Sequence, residues 1–114
     1  MRARRILIIE DEHILATALS RALLAMGAEI VGMAATVEQA LELVETIPDV
    51  DGALVDINLR GILAYAVADA LAGRGVPFVF TTGYSSPIIP DQYKHVTVLQ
   101  KPFEPREIIA ALFG

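Results

Sequence analysis

Short apolar runs that favour strands alternate along this chain with amphipathic runs that favour helices. Such alternation is typical of an α/β protein with a parallel sheet, because parallel strands need a crossover connection that is usually a helix. The predicted strands are 5–10, 28–33, 50–57, 77–82 and 96–100. The first, third and fourth strands are almost continuously apolar, which indicates that helices cover both faces of the sheet.

The helical runs between and after these strands carry signals for their ends. The second helix is expected to begin at a capping box of Thr36 and Gln39 and to end before Pro48. The third is expected over 62–72, and the last over 105–113, where a proline suits the first turn. For the first helix, the spacing predicts an apolar face made of Leu15, Ala18, Leu19, Ala22 and Met26.

The stretch from Gly83 to His95 departs from this regular pattern. It contains Pro87 and Pro90, and a proline inside a helix removes a hydrogen bond and clashes with the preceding turn. The sequence therefore predicts a short or irregular fourth helix. Residues 1–114 are expected to form a single domain, with no output domain after the last helix.

Composition and charge argue against several classes of protein. Nine Lys and Arg residues against 14 Asp and Glu give a net charge of −5, which disfavours a nucleic-acid-binding surface. Without cysteine, the chain can form neither a disulfide nor a thiolate metal site. The apolar run after Arg2, Arg4 and Arg5 is too short for a signal peptide, and no run approaches the roughly 20 residues that span a membrane. We therefore expect a cytoplasmic protein without a membrane partner, in which the three arginines form a solvated leader.

Polar residues stand where the predicted strands end. Glu10 and Asp11 end the first strand, Asp56 lies near the end of the third, Thr82 ends the fourth and Lys101 follows the fifth. Open α/β sheets bind their ligands at the carboxyl ends of the strands. Each residue alone has an ordinary interpretation as a turn, a helix cap or a charge near a helix dipole. Their coincidence at one sheet edge is what predicts a site.

Three carboxylates and one ammonium suit a divalent cation and a phosphoryl group. Mg²⁺ prefers oxygen ligands, which one acid of the Glu10–Asp11 pair, Asp56 and a backbone carbonyl could supply. Asp56 could also act as a nucleophile in aspartyl-phosphate chemistry. The cation and Lys101 would neutralise charge on the phosphoryl oxygens, and Thr82 would offer a hydroxyl donor.

These residues resemble the receiver domain of two-component response regulators, and the resemblance covers the whole chain. It is carried by the motifs Ile8-Ile9-Glu10-Asp11-Glu12, Leu54-Val55-Asp56-Ile57-Asn58-Leu59, Thr82-Gly83 and Gln100-Lys101-Pro102-Phe103. The resemblance implies a flavodoxin-like (βα)5 three-layer sandwich with a parallel sheet in the order 2-1-3-4-5. It also implies that Asp56 accepts a phosphoryl group from a histidine kinase.

The same resemblance implies roles for the other residues of the site. Asp11 would ligate Mg²⁺ directly, Glu10 mainly through water, and Asn58 through its backbone carbonyl. Thr82 would be the switch hydroxyl, and Lys101 would be the lysine that binds the phosphoryl group.

Residues 77–84 resemble a subfamily whose fourth strand ends in Phe-Ala-Thr-Gly-Tyr. Such proteins are often stand-alone receivers, frequently paired with histidine kinases of the HWE class. Thr81 replaces the alanine here, and strand alternation points it away from Thr82, which keeps the switch role because Gly83 follows it. Val98 is a departure from the family, because many receivers carry there an aromatic residue that turns inward when the threonine moves.

The resemblance implies a signalling switch rather than an enzyme, although such domains can catalyse their own phosphorylation and dephosphorylation. Its output would be contact with a downstream protein through the fourth helix, the fifth strand and the fifth helix. The chain would be a monomer or a weak homodimer. Tyr84, two residues beyond Thr82, would shield the acyl phosphate from water.

Two other functions stay open at this point. A small phosphatase or phosphotransferase would also use Asp56 as its nucleophile, but haloacid-dehalogenase-like enzymes usually carry a second acid two residues later, where this chain has Asn58. A flavin-binding flavodoxin-like module would need a Ser-, Thr- or Gly-rich phosphate loop after the first strand. The acidic run Glu10-Asp11-Glu12 would repel a phosphate there.

Overall fold

The computed structural model describes residues 2–83 and 88–114. Its elements in chain order are β1 (Arg5–Ile9), α1 (His13–Ala25), β2 (Glu29–Ala34), α2 (Val37–Thr46), β3 (Gly52–Asp56), β4 (Asn58–Leu59), β5 (Ile62–Leu63), α3 (Tyr65–Gly73), β6 (Phe78–Thr82), β7 (Val98–Gln100) and α4 (Pro105–Phe113). A 3₁₀ turn over Asp91–Tyr93 precedes β7. None of the helices in the described ranges is long and apolar enough to cross a bilayer.

The main sheet has five strands in the order β2-β1-β3-β6-β7, and every neighbouring pair is parallel. Strands β4 and β5 form a separate antiparallel hairpin. Counted over the five long strands, the order is 2-1-3-4-5, which confirms the predicted flavodoxin-like sheet. The carboxyl ends of β1, β3, β6 and β7 therefore lie side by side along one edge.

Each face of the sheet packs against its own pair of helices. Residues of alternate parity along β1 enter different cores, with Leu7 and Ile9 on one side and Ile6 and Ile8 on the other. The first core is completed by α2 and α3, and the second by α1 and α4. Full burial of each such side chain contributes about 1.5–3 kcal/mol, so the two cores fix the register that aligns the strand ends.

The predicted face of α1 is partly wrong. The buried positions are Ala16, Leu19 and Leu23, whereas Ala18 and Met26 are exposed. Helix α1 is apolar around much of its circumference, so several faces fit a helical repeat equally well. Packing against the sheet and α4 selects one of them, and the sequence pattern carries no information about that choice.

The third helix begins later than predicted, at Tyr65 rather than at residue 62. Ile62–Leu63 instead pairs with Asn58–Leu59 across a two-residue turn. The turn residues Arg60 and Gly61 have φ values of 54° and 86°. Two consecutive positive φ angles are the geometry of the tight hairpin turn that matches strand twist.

Between Gly83 and His95, the 3₁₀ turn Asp91–Tyr93 is the single helical element among the described residues, in keeping with the predicted short or irregular fourth helix. Pro87, on which part of that prediction rested, lies outside the described residues.

The sequence predicted a solvated basic leader, but in the structure the leader makes specific contacts. The two terminal nitrogens of the Arg2 guanidinium, Nη1 and Nη2, donate to the Asp51 carboxylate at 3.0 and 2.7 Å. The backbone N–H of Arg5 donates to the same carboxylate at 2.8 Å. Arg4 lies over the Phe113 ring, 4.5 Å from its centroid. The leader therefore attaches the start of β1 to the loop before β3 and to α4.

Candidate functional site

Three acids converge at the carboxyl edge of the sheet. Strand pairing places Ile9 opposite Val55, so the next residues, Glu10 and Asp56, come side by side. Asp11 follows directly, and one carboxylate oxygen from each of the three acids lies within 4.8 Å of the others. The sheet register, rather than any local motif, therefore builds this acidic cluster.

Lys101, which follows the edge strand β7, contacts the same acidic cluster. Its ammonium donates to Asp56 Oδ2 at 2.9 Å, to Glu10 Oε1 at 3.2 Å and to Glu12 Oε1 at 3.3 Å. The three N–H donors of a lysine are thus all engaged by carboxylates. Glu12 was not predicted as a site residue, and its only sequence signal was its place next to Glu10 and Asp11.

Asp56 is held by contacts to both of its carboxylate oxygens. Oδ2 accepts from Lys101, and Oδ1 accepts from the backbone N–H of Asn58 at 3.0 Å. The Asp56 side chain is 7% exposed, while that of Lys101 is 17% exposed. The carboxylate is therefore oriented by hydrogen bonds but still reachable at the surface.

Glu10 is more deeply buried than Asp56, with a side chain that is 1% exposed. Burial, and after it the negative charge of Asp56, raise the pKa of Glu10 to about 8, although bonds from the Glu12 N–H and Lys101 act in the opposite direction. Burial acts to lower the pKa of Lys101, but its bonds to Asp56 and Glu10 outweigh burial and raise the pKa. The ammonium consequently stays charged at neutral pH.

The β4–β5 hairpin is the part of the site that sequence reasoning missed. Asp11 Oδ2 accepts a hydrogen bond from the Arg60 N–H at 3.0 Å, and Asn58 Oδ1 accepts from the Gly61 N–H at 2.7 Å. The hairpin thereby joins the acidic loop after β1 to the end of β3. The side-chain oxygen of Asn58 is occupied within the turn. Arg60-Gly61 between two short apolar pairs was the available signal.

The two adjacent threonines at the end of β6 point to opposite faces of the sheet, as alternation requires. Thr82 has the parity of Phe80, against which Tyr93 packs edge-on with 5.9 Å between ring centroids. The carbonyl of Thr82 accepts from the Lys101 N–H at 2.9 Å. Val98, in the position where an aromatic is common, is half-exposed beside Phe80. Tyr84 lies outside the described residues.

The chemistry of this donor set fits Mg²⁺. Glu10, Asp11 and Asp56 offer only carboxylate oxygens, which are the ligands a hard divalent cation prefers. Glu10 Oε2 lies 3.1 Å from the Lys101 ammonium, yet it accepts no hydrogen bond from the described part of the chain. A buried oxygen without a hydrogen bond suits a cation ligand, because burying a polar atom without a hydrogen bond costs free energy.

A flavodoxin-like sheet with an acidic pocket at its carboxyl edge, closed by a lysine after the last strand, defines the class of receiver domains. The comparisons agree with this class: the profile of the response regulator receiver domain matches residues 6–113. The chain belongs to that family.

Similar solved structures cover nearly the whole chain. The solution structure of SdrG from Sphingomonas melonis Fr1 is 40% identical, with a TM-score of 0.84 over 98% of both chains. The BeF3-activated conformation of SdrG, from Pseudomonas melonis Fr1, is 40% identical with a TM-score of 0.81 over all of both chains. The receiver domain of PhyR from Erythrobacter litoralis is 28% identical, with a TM-score of 0.82 over 97% of this chain and 88% of that one. The comparison with curated proteins finds no match.

Proposed function

We propose that this chain is a phosphorylation-dependent switch in which Asp56 accepts a phosphoryl group from a histidine kinase. The observation that carries the proposal is the setting of the Asp56 carboxylate. It is partly shielded from water, bonded to the Lys101 ammonium at 2.9 Å and adjacent to two further carboxylates. A nucleophilic carboxylate beside cationic charge is the arrangement that aspartyl phosphate formation needs.

Each residue has a defined task in this proposal. A carboxylate oxygen of Asp56 attacks the phosphorus, and the bond from phosphorus to the kinase histidine breaks. Lys101 donates to that carboxylate at 2.9 Å, which supports a role for its ammonium in stabilising charge on the transferring group. Thr82 is proposed as the hydroxyl that contacts the phosphoryl group afterwards.

Glu10, Asp11, Asp56 and the backbone carbonyl of Asn58 would hold Mg²⁺. When bound, Mg²⁺ supplies positive charge next to the phosphoryl oxygens and offsets the mutual repulsion of the acids. Because ligating carboxylates must be ionised, we expect the affinity for Mg²⁺ to fall as the acids protonate.

The signalling context is also a proposal. A relative 40% identical over the full chain has a BeF3-activated conformation, which supports a switch of the same kind here. We propose a single receiver domain over 1–114 that signals by contact with a downstream protein, without nucleic acid or membrane partners, as a monomer or weak homodimer. A kinase of the HWE class is the proposed donor. The proposed compartment is the cytoplasm, where ATP supplies such kinases.

The enzyme alternative has less support. A phosphatase of the haloacid-dehalogenase type would require an acid two residues after the nucleophile, and that position is Asn58, whose side-chain oxygen is bonded within the hairpin turn. The proposal therefore limits catalysis to phosphorylation and dephosphorylation of the chain itself.

Incubation with acetyl phosphate and Mg²⁺, followed by intact mass measurement, tests the proposal. Wild type should gain one phosphoryl group, and Asp56→Asn should gain none. Asp91→Asn is the matched control, because Asp91 is 97% exposed in the 3₁₀ turn, and it should label like wild type. Equal labelling of wild type and Asp56→Asn would refute the role of Asp56, and release of many equivalents from phosphate esters would favour the phosphatase.

A further inference from the structure

The Thr81 hydroxyl is buried and has no hydrogen-bond partner in the described part of the chain. Thr81 is 0% exposed, and its Oγ1 is one of two buried side-chain atoms in this state among the described residues. The other is Glu10 Oε2. Unpaired buried hydroxyls are uncommon in native proteins because leaving such a group unpaired is costly. A threonine kept there calls for an explanation.

Both unpaired atoms belong to the same corner of the molecule. Ile8, Leu54 and Val79 share one core cluster, and two residues further along each strand come Glu10, Asp56 and Thr81. Alternation therefore puts these three side chains on one face of the sheet. Asp56 and Thr81 are also direct Cα partners in the β3–β6 ladder. Thr81 is thus the neighbour of the proposed phosphoacceptor along the sheet.

Lys101 must pass over β6 to reach Asp56. It follows β7, Asp56 ends β3, and β6 lies between these two strands. The 2.9 Å bond from Lys101 to Asp56 Oδ2 therefore spans the strand at the level of Thr81. In the unphosphorylated chain, the Lys101 ammonium donates to Asp56 Oδ2 and the Thr81 hydroxyl does not.

We infer that Thr81 is a positioning residue of the switch, whose hydroxyl donates to Asp56 Oδ2 once Lys101 leaves that oxygen for the phosphoryl group. This inference rests on the proposed function. Adjacent parallel strands are about 4.8 Å apart, so in-register side chains on one face are within hydrogen-bonding reach. A threonine hydroxyl supplies the single donor that the vacated oxygen needs.

The Thr81 hydroxyl then has opposite effects on the unphosphorylated and phosphorylated states. It destabilises the unphosphorylated chain, where it is unpaired, and stabilises the phosphorylated chain, where it is paired. A group with different free energies in two states shifts the population towards the state it favours. Thr81 would therefore bias this chain towards the activated form, compared with the alanine of the Phe-Ala-Thr-Gly-Tyr motif.

The test compares Thr81→Val, which keeps the shape and removes the hydroxyl, with Thr81→Ser, which keeps the hydroxyl. Two quantities are measured for each: the Tm without ligand, and the affinity for beryllofluoride in the presence of Mg²⁺. Thr81→Val should raise the Tm by about 4 °C and weaken beryllofluoride binding roughly three- to tenfold. Thr81→Ser should bind beryllofluoride within about twofold of wild type, because the donor is retained.

Each outcome decides between the claims. If Thr81→Val binds beryllofluoride as tightly as wild type, the inference is wrong and the proposed function stands. If Thr81→Ser, which retains the hydroxyl, is weakened as much as Thr81→Val, the loss does not follow the hydroxyl and the inference is also wrong. If wild type binds no beryllofluoride with Mg²⁺, the proposed function and the inference both fail.

Discussion

Removing the ammonium at position 101 should leave buried negative charge without compensation. Lys101→Met keeps most of the aliphatic stem, so packing is largely preserved while the charge is lost. The carboxylate of Asp56 then keeps the Asn58 N–H but loses its cationic partner. Lys101 acts to lower the pKa of Glu10, which is about 8 with the ammonium present, so Glu10 stays neutral at pH 7 when the ammonium is removed. The uncompensated charge is therefore mainly that of Asp56.

The size of the effect follows from the geometry. At the 2.9 Å separation of the Lys101 and Asp56 charges, an effective dielectric constant of about 20 gives an attraction of about 6 kcal/mol. The cost of taking both charges out of water offsets part of this attraction, and breaking such a pair from one side typically costs 3–5 kcal/mol. Because Lys101 is 17% exposed, we expect the cost of breaking the pair to lie at the lower end of this range, at about 3 kcal/mol. At about 4 °C per kcal/mol, the Tm should fall by about 12 °C.

Thermal unfolding in EDTA and then in Mg²⁺ measures this prediction. Lys94→Met is the control, because Lys94 is 66% exposed and its ammonium makes a surface ion pair with Asp91, so its loss should cost less than about 1 kcal/mol. Mg²⁺ should raise the Tm of Lys101→Met more than that of wild type, since the cation replaces the missing charge. A fall in Tm in EDTA no larger than that of Lys94→Met would show that the Lys101 ammonium does not compensate the Asp56 charge.

Two further predictions concern stability away from the site. Burial acts to raise the pKa of Asp51, but bonds from the Arg5 N–H and the Arg2 guanidinium outweigh it and lower the pKa below its ordinary 3.8. The stabilisation that these bonds give is fully present above the ordinary pKa of 3.8 and is lost as pH falls through the lower pKa of the folded chain. The Tm of wild type should therefore exceed that of Asp51→Asn by less at about pH 3 than at about pH 7. A difference in Tm that grows on acidification would contradict this. Tyr93→Phe removes the hydroxyl that donates to Asp69 and should lower the free energy of unfolding in urea by about 1 kcal/mol. Combining Asp69→Ala with it should add little further loss. If the losses of the two single variants add up fully in the double variant, the bond contributes nothing.

The sequence allowed much of the site to be predicted because one topological rule does most of the work. In a parallel sheet, the residues after each strand share an edge whatever their distance along the chain. The ends of the predicted strands alone therefore bring Glu10, Asp56 and Lys101 together. Predicting which residues lie at the carboxyl edge required only the positions and order of the strands, and the alternation of apolar runs indicated where the strands are.

Features that depend on a choice among similar packings could not be predicted. Helix α1 presents apolar side chains on several faces, and only its neighbours decide that Leu23 is buried and Met26 exposed. The β4–β5 hairpin has two residues per strand, too few for any periodic signal. That the Thr81 hydroxyl meets no hydrogen-bond partner within 2–83 and 88–114 depends on atomic contacts, for which a sequence has no pattern.

Chemical trapping of the phosphorylated residue shows directly whether Asp56 is the phosphoacceptor. Borohydride reduces an aspartyl phosphate to homoserine, so treatment after reaction with acetyl phosphate and Mg²⁺ marks the acceptor permanently for peptide mass spectrometry. We expect homoserine at position 56 of wild type and at no other acid. Homoserine at Asp11, the longer alcohol 2-amino-5-hydroxypentanoate at Glu10, or homoserine formation that persists in Asp56→Asn would contradict the role of Asp56.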